Sequence, residues 1–257
     1  AGDEVIIPAP YWVSFPEIVT LAGARPLIIH AGAEQDFKIT PEQIDEAVTP
    51  NTKAIMINSP SNPTGSAYDQ GEMEKLAECA LRHGLLIISD EIYEQIVFDG
   101  FQHTSIASIS KEVQKQCVVI NGVSKSYAMT GWRIGYIAAG DPEIVKQVGK
   151  LQGQSTSNPC AVSQAASIEA LAGPLDEVRE MVREFEHRRN IIVDRLTQIP
   201  GVSCNKPTGS FYSFPDFSGI YGKKDMNGKV LKGSLDLTEY LLSAEKVAIV
   251  PGIAFGA

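Results

Sequence analysis

Between Glu4 and Ala138, short runs rich in β-branched residues alternate with stretches of helical periodicity. Strands are predicted at Glu4–Ile7, Arg25–Ile29, Ala54–Asn58, Leu85–Ser89, Cys117–Asn121 and Ile134–Ala138. Helices are predicted at Phe15–Leu21, Pro41–Ala47, Gln70–His83, Pro142–Gln152 and Ala161–Leu171. Thr40 and Pro41 supply an N-cap and a first-turn proline, and His83-Gly84 is a helix stop. Strands that are apolar throughout, rather than alternating, are buried on both faces, which is the mark of a parallel sheet. The expected fold is therefore α/β, a three-layer α/β/α domain around a mostly parallel sheet.

The pattern changes after Gly173-Pro174. Leu175–Ile199 is a long charged helix with apolar Val178, Val182, Phe185, Ile192 and Leu196 on one side. Beyond it come Phe211–Phe214, a Gly/Lys-rich loop over Gly222–Gly233, a helix over Leu235–Glu245 and a strand over Val247–Val250. The expected organisation is a large domain over residues 1–175, a connecting helix over 176–199 and part of a smaller α+β domain over 200–257. The chain starts almost directly on a strand and ends on the apolar stretch Val247–Ala257. Natural termini are more often polar and frayed. The sequence is expected to be an internal part of a longer chain, with the N-terminal portion of the large domain outside it.

With 257 residues, 44% of them hydrophobic, the chain can bury a substantial core. Its net charge of −9 and the lack of any Lys/Arg block argue against nucleic-acid and membrane-surface binding. No apolar run reaches the roughly 20 residues that span a bilayer, and no signal-peptide pattern opens the sequence. Cys79, Cys117, Cys160 and Cys204 are scattered, with no C-x-x-C spacing, and are expected to be buried free thiols in a reducing compartment. A cytoplasmic protein without a metal is expected.

The segment Gly122-Val123-Ser124-Lys125-Ser126-Tyr127-Ala128-Met129-Thr130-Gly131-Trp132-Arg133-Ile134-Gly135 carries the most chemistry. It places Lys125 among small residues just past an apolar strand, with Arg133 eight positions on. A lysine amine can form a Schiff base with a carbonyl, and arginine is a permanent cation suited to phosphate. A phosphorylated aldehyde cofactor needs both, so the pair suggests pyridoxal phosphate. Three further groups follow strand ends, where open α/β sheets collect ligands. Asp90, in Ser89-Asp90-Glu91-Ile92-Tyr93, can hold a proton on a pyridine nitrogen, and Tyr93 can donate to a ring oxygen. Asn62, in Asn58-Ser59-Pro60-Ser61-Asn62-Pro63-Thr64-Gly65, can donate its amide to the same oxygen. Trp12, in Pro8-Ala9-Pro10-Tyr11-Trp12, can stack on a flat ring. Taken singly, Asp90 fits a turn cap, Asn62 an ordinary Asn-Pro turn and Trp12 a core aromatic.

Taken together and in this order, these motifs closely resemble the class I and II aminotransferases, pyridoxal-phosphate enzymes of fold type I. The resemblance covers essentially the whole chain. Ile7–Ser14, Ser59–Gly65, Ala128–Gly135 and Lys150–Gln154 are most similar to the bacterial and plastid aspartate aminotransferases, some of which also use prephenate.

This resemblance implies the following roles. Lys125 carries the cofactor as a Schiff base and then moves a proton between the substrate Cα and C4′. Asp90 holds the pyridine nitrogen. Tyr93 and Asn62 bind the ring oxygen, and Trp12 stacks on the ring. Arg133 grips the phosphate with Ser124 beside it, and Trp12 and Asn62 also face the substrate. The implied reaction is ping-pong amino transfer between L-aspartate and 2-oxoglutarate, with glutamate or prephenate as further substrates. The implied assembly is a homodimer with the site between subunits, to which Gln154–Asn158 would contribute from the neighbour. The Ala9-Pro10 and Asn62-Pro63 bonds are expected to be cis. A plastid location is implied for a plant source.

Two departures stand out. Many relatives carry serine three residues before the lysine, where this chain has Gly122. The family's glycine-rich phosphate loop, a tyrosine that reaches the partner's phosphate and the α-carboxylate arginine fall outside the sequence, so this polypeptide alone is expected to be impaired. Two further classes fit the same motifs. One is another fold-type I enzyme, such as an aromatic or alanine aminotransferase, a carbon–sulfur lyase or a cyclopropane-forming synthase. The other is a regulator that uses this fold to sense a ligand.

Overall fold

The computed structural model describes residues 2–257. In chain order, its main elements are β1 (Glu4–Ala9), α1 (Ser14–Leu21), β2 (Arg25–His30), α2 (Pro41–Ala47), β3 (Thr52–Asn58), α3 (Gln70–Arg82), β4 (Leu86–Asp90), α4 (Lys111–Lys115), β5 (Cys117–Gly122), β6 (Gly135–Ala139), α5 (Pro142–Ser155), α6 (Ala161–Ala172), α7 (Asp176–Thr197) and α8 (Ser234–Tyr240). The six strands form one sheet in the order β2-β1-β3-β4-β5-β6. Strands β1 to β5 are parallel, and β6 runs antiparallel to β5.

Alternation along the strands builds two cores. Ile6, Ile55, Ile57, Ile87 and Cys117 pack on one face against Ile44 of α2, Met73, Leu76 and Ala80 of α3 and Val113 of α4. Ile7 and Met56 pack on the other face against Phe15 and Val19 of α1. Both faces of the central strands are therefore covered, as their unbroken apolar character predicts. Helix α2 starts on a capping box in which Thr40 and Gln43 satisfy each other's backbone N–H, and α3 starts on an equivalent box between Asp69 and Glu72.

All six predicted strands form, within a few residues of their expected bounds. Several expectations are corrected. Val247–Val250 is not a strand. Val247 and Val250 are exposed, and no neighbouring chain among the described residues offers a ladder, without which β-branched residues gain little from extension. The helix expected over Leu235–Glu245 holds only to Tyr240 and then widens into a π turn over Leu241–Glu245. Cys79 and Cys117 are buried thiols, whereas Cys160 is exposed and Cys204 is half-buried. Ile192 in α7 is exposed, and the inward stripe there includes Arg189 instead.

Arg189 explains how the long helix is held. Its guanidinium donates from Nη1 and Nη2 to the Asp99 carboxylate (2.8 and 3.1 Å) and from Nη1 to the Pro207 carbonyl (2.8 Å). It also lies over the Phe98 ring at 4.8 Å. These bonds hold the Asp99 carboxyl far below the usual carboxylate range. Charge at position 189 is legible from sequence; its burial is not, because only tertiary structure brings Asp99 and Pro207 to it. Through this one side chain α7 grips both the segment after β4 and the segment that leads to Tyr212. No helix among the described residues is long and apolar enough to cross a membrane.

Candidate active site

Parallel strands end on one edge of the sheet. Ala9, Asn58, Asp90 and Gly122 close β1, β3, β4 and β5 there. Because β6 is antiparallel, with Gly135 opposite Gly122, the turn that carries Arg133 returns to the same edge. Topology thus gathers the turns bearing Trp12, Asn62, Asp90, Tyr93, Ser124, Lys125 and Arg133 at one edge, without any single local signal being strong.

The edge is braced by side-chain bonds. Asn58 Nδ2 donates to the Asp90 carbonyl (3.1 Å), and its Oδ1 accepts from the Asn62 backbone N–H (2.8 Å). Asn58 therefore ties the β3, β4 and Asn62 turns together. The Ala9-Pro10 and Asn62-Pro63 bonds are cis as expected, and so is Ser59-Pro60. Asp90 Oδ1 accepts from the Ile92 N–H (3.1 Å). Burial nevertheless pushes the Asp90 carboxyl up to about 6, with Glu91 a smaller contributor in the same direction. No cation among the described residues pairs with it.

Asn62 Nδ2 lies 3.3 Å from the Tyr212 hydroxyl, which lies 2.8 Å from the Tyr93 hydroxyl. Tyr93 is buried, and burial pushes its phenol well above the usual tyrosine range. Lys125 is half-buried, with Nζ 5.6 Å from the centre of the Phe211 ring. Phe211 in turn packs edge-on against Tyr93 at 5.3 Å. No carboxylate among the described residues pairs with Lys125 or Arg133. Arg133 takes a left-handed conformation (φ 57°) and donates only to the Thr130 carbonyl (2.8 Å), leaving an exposed guanidinium with donors to spare. Ser124 is half-buried beside Lys125. Trp12 is exposed and lies perpendicular to the Phe15 ring, with ring centres 5.4 Å apart.

Sequence reasoning missed Tyr212, Phe211 and the bracing role of Asn58. Phe211 and Tyr212 lie in an aromatic run, but nothing in that run marks it as returning to the sheet edge.

Gly122 has a steric explanation. A Cβ there would lie 2.8 Å from the Ile134 carbonyl oxygen and 3.1 Å from the Gly135 Cα, both rigid backbone of the neighbouring strand. Serine therefore cannot replace it without parting β5 from β6. Gly122→Ser is expected to destabilise the protein by about 1–3 kcal/mol, which denaturant unfolding would measure. An unchanged midpoint would show that the strand pair relaxes freely.

The family model for aminotransferase class I and II matches residues 1–257. The chain is 51% identical to the aspartate aminotransferase of Geobacillus stearothermophilus, over 100% of this chain and 64% of that protein. It is 48% identical to the aspartate/prephenate aminotransferase of Cereibacter sphaeroides, over 99% of this chain and 64% of that protein. Among solved structures, the aspartate aminotransferase of Rhizobium meliloti superposes with a TM-score of 0.96 at 43% identity, covering 100% of this chain and 64% of that one. The chain thus spans 64% of the length of these relatives.

Proposed function

The chain belongs to the class I and II aminotransferase family, and from that premise we propose that the whole protein moves an amino group between L-aspartate and 2-oxoglutarate. The family works with pyridoxal phosphate. One observation supports the reading above the rest: an unpaired lysine and a desolvated, unpaired carboxylate share one sheet edge. Asp90 lacks the countercharge that a buried ionisable group normally has, the half-buried Lys125 has no carboxylate partner either, and this cofactor supplies a partner for both.

The donor set fits that cofactor. Lys125 would offer the amine that attaches it, Asp90 would keep a proton on its ring nitrogen, and Asn62 and Tyr93 would present N–H and O–H groups to its ring oxygen. Arg133 and Ser124 would meet its phosphate, and Trp12 would cover a ring face. When bound, pyridoxal phosphate supplies an electron sink for the pair left on the substrate Cα. Lys125 then moves the proton at that carbon as a general base. The net exchange would convert aspartate to oxaloacetate in one half-reaction and 2-oxoglutarate to glutamate in the other, a ping-pong scheme. Aspartate as donor is supported by the relatives' names, prephenate as a further acceptor by the Cereibacter protein. A homodimer with a shared site is the assembly we propose with it.

The test is direct. Full-length protein incubated with pyridoxal phosphate and reduced with borohydride is expected to carry a phosphopyridoxyl group on Lys125, located by peptide mass mapping. L-Aspartate is expected to yield oxaloacetate in an amount equal to enzyme until 2-oxoglutarate is added. Adduct formation without 2-oxo-acid-dependent turnover, or with ammonia release, would replace transamination by a lyase reaction. No adduct at Lys125 would remove the cofactor assignment.

A further inference from the structure

Tyr212 sits at the meeting point of the two groups assigned to the cofactor's ring oxygen, although it lies more than a hundred residues further along the chain than either. Its placement is tightly constrained. The Thr208 and Gly209 N–H groups both donate to the Gly65 carbonyl (2.9 and 2.8 Å), next to the Asn62 turn. Ser210 N–H donates to the Ile96 carbonyl (2.8 Å), and Phe98 N–H donates to the Thr208 carbonyl (2.9 Å). A Cβ at Gly209 would lie 2.7 Å from the Ile96 carbonyl and 2.8 Å from the Pro60 ring, so this strip is wedged between the Asn62 turn and the segment after Tyr93. Two residues later the strip delivers the Tyr212 hydroxyl.

Proton counting allows the cluster a direction in which Tyr93 serves an outside acceptor. An amide N–H can only donate, so Asn62 uses a lone pair of the Tyr212 oxygen at 3.3 Å. The Tyr212 proton remains available for the Tyr93 oxygen at 2.8 Å. Tyr93 then keeps its own proton for an outside acceptor. From this geometry we propose that Tyr212 is a positioning residue that accepts a hydrogen bond from the Asn62 amide, donates one to Tyr93 and thereby fixes Tyr93 as a donor to the ring oxygen of the bound cofactor. The proposal rests on the pyridoxal-phosphate reading above. Bonds in a chain polarise one another, so Tyr93 donates more strongly with Tyr212 behind it than alone. A stronger donor favours the anionic ring oxygen and lowers the pH at which the lysine-bound cofactor gains its proton.

The experiment is a spectroscopic pH titration of the lysine-bound cofactor in full-length protein, comparing the parent with Tyr212→Phe, Tyr93→Phe and the double variant. Phenylalanine keeps the ring that packs against Phe211 and Tyr93, so the fold is retained while the hydroxyl is lost. Tyr212→Phe is expected to raise the titration midpoint by about half a pH unit. In the Tyr93→Phe background the same change is expected to have almost no effect, because the relay acts through Tyr93. A purely structural role would leave the midpoint where it is, and that result overturns the proposal while the parent's band upholds the cofactor. A shift that persists undiminished without the Tyr93 hydroxyl also overturns it, since Tyr212 would then act directly. A parent protein with no titrating band overturns the proposal and the cofactor reading together.

Discussion

Replacing Lys125 with alanine is expected to abolish the borohydride-trapped adduct and slow the aspartate half-reaction by about 10³- to 10⁴-fold. The loss follows from the two tasks placed on one amine. Lys125 leaves β5 in a turn of small residues and is half-buried, with Nζ facing the Phe211 ring and no carboxylate among the described residues to hold it elsewhere. A lysine free of an ion pair at a sheet edge is available to a carbonyl. Its removal leaves the remaining anchors at Asp90, Asn62, Tyr93 and Arg133, so the variant is expected to retain the cofactor noncovalently. Equilibrium dialysis for binding and single-turnover absorbance for rate separate the two effects. A variant that turns over at the parental rate would take proton transfer away from Lys125, whatever the trapping result.

The sheet and the main motifs were legible in the sequence because they rest on short-range physics. β-Branched runs bounded by turns give β1 to β6, and capping pairs such as Thr40/Gln43 set helix starts. The chemistry-bearing turns follow strand ends, so once the strands are parallel their residues must share an edge. What was not legible depends on long-range closure. Tyr212 comes back to Asn62 and Tyr93 only because Gly209 fits against Pro60 and the Ile96 carbonyl, and because Arg189 binds both Asp99 and Pro207. Those contacts leave no periodicity to read. The missing strand at Val247–Val250 errs in the opposite direction: its composition favours extension, but pairing is a property of the neighbour, not of the segment. Gly122, which read as a departure from the family pattern, is explained by the close approach of β6, a contact invisible from residue 122 itself.

Asp90→Asn is expected to stabilise the cofactor-free protein at neutral pH while cutting turnover by about 10²- to 10⁴-fold. Burial raises the Asp90 carboxyl to about 6, above its value in the unfolded chain. Well below pH 4 the carboxyl is protonated in both states and has no effect on stability. Between about 4 and 6 the folded state binds more protons than the unfolded one, so stability falls as pH rises through this window. Above pH 6 the buried charge costs at most about 3 kcal/mol, from roughly two pK units at 1.36 kcal/mol each. Asparagine keeps the shape and carries no charge, so its melting temperature is expected to exceed the parent's by a few degrees at pH 7.5 and to come close to it at pH 4. The same neutrality removes what the reaction needs. An amide cannot hold a proton on the ring nitrogen, and without that proton the electron sink is weak. A cofactor with a protonated ring nitrogen would itself relieve the buried charge, so adding pyridoxal phosphate is expected to stabilise the parent more than the variant. Thermal unfolding at both pH values, with and without cofactor, measures all four terms. Equal melting temperatures at pH 7.5 would show that the Asp90 charge is already solvated, and retained turnover would show that another group protonates the ring. Asp90 is therefore a site where the apo fold is less stable than it could be, and the expected gain on substitution is the measure of what binding restores.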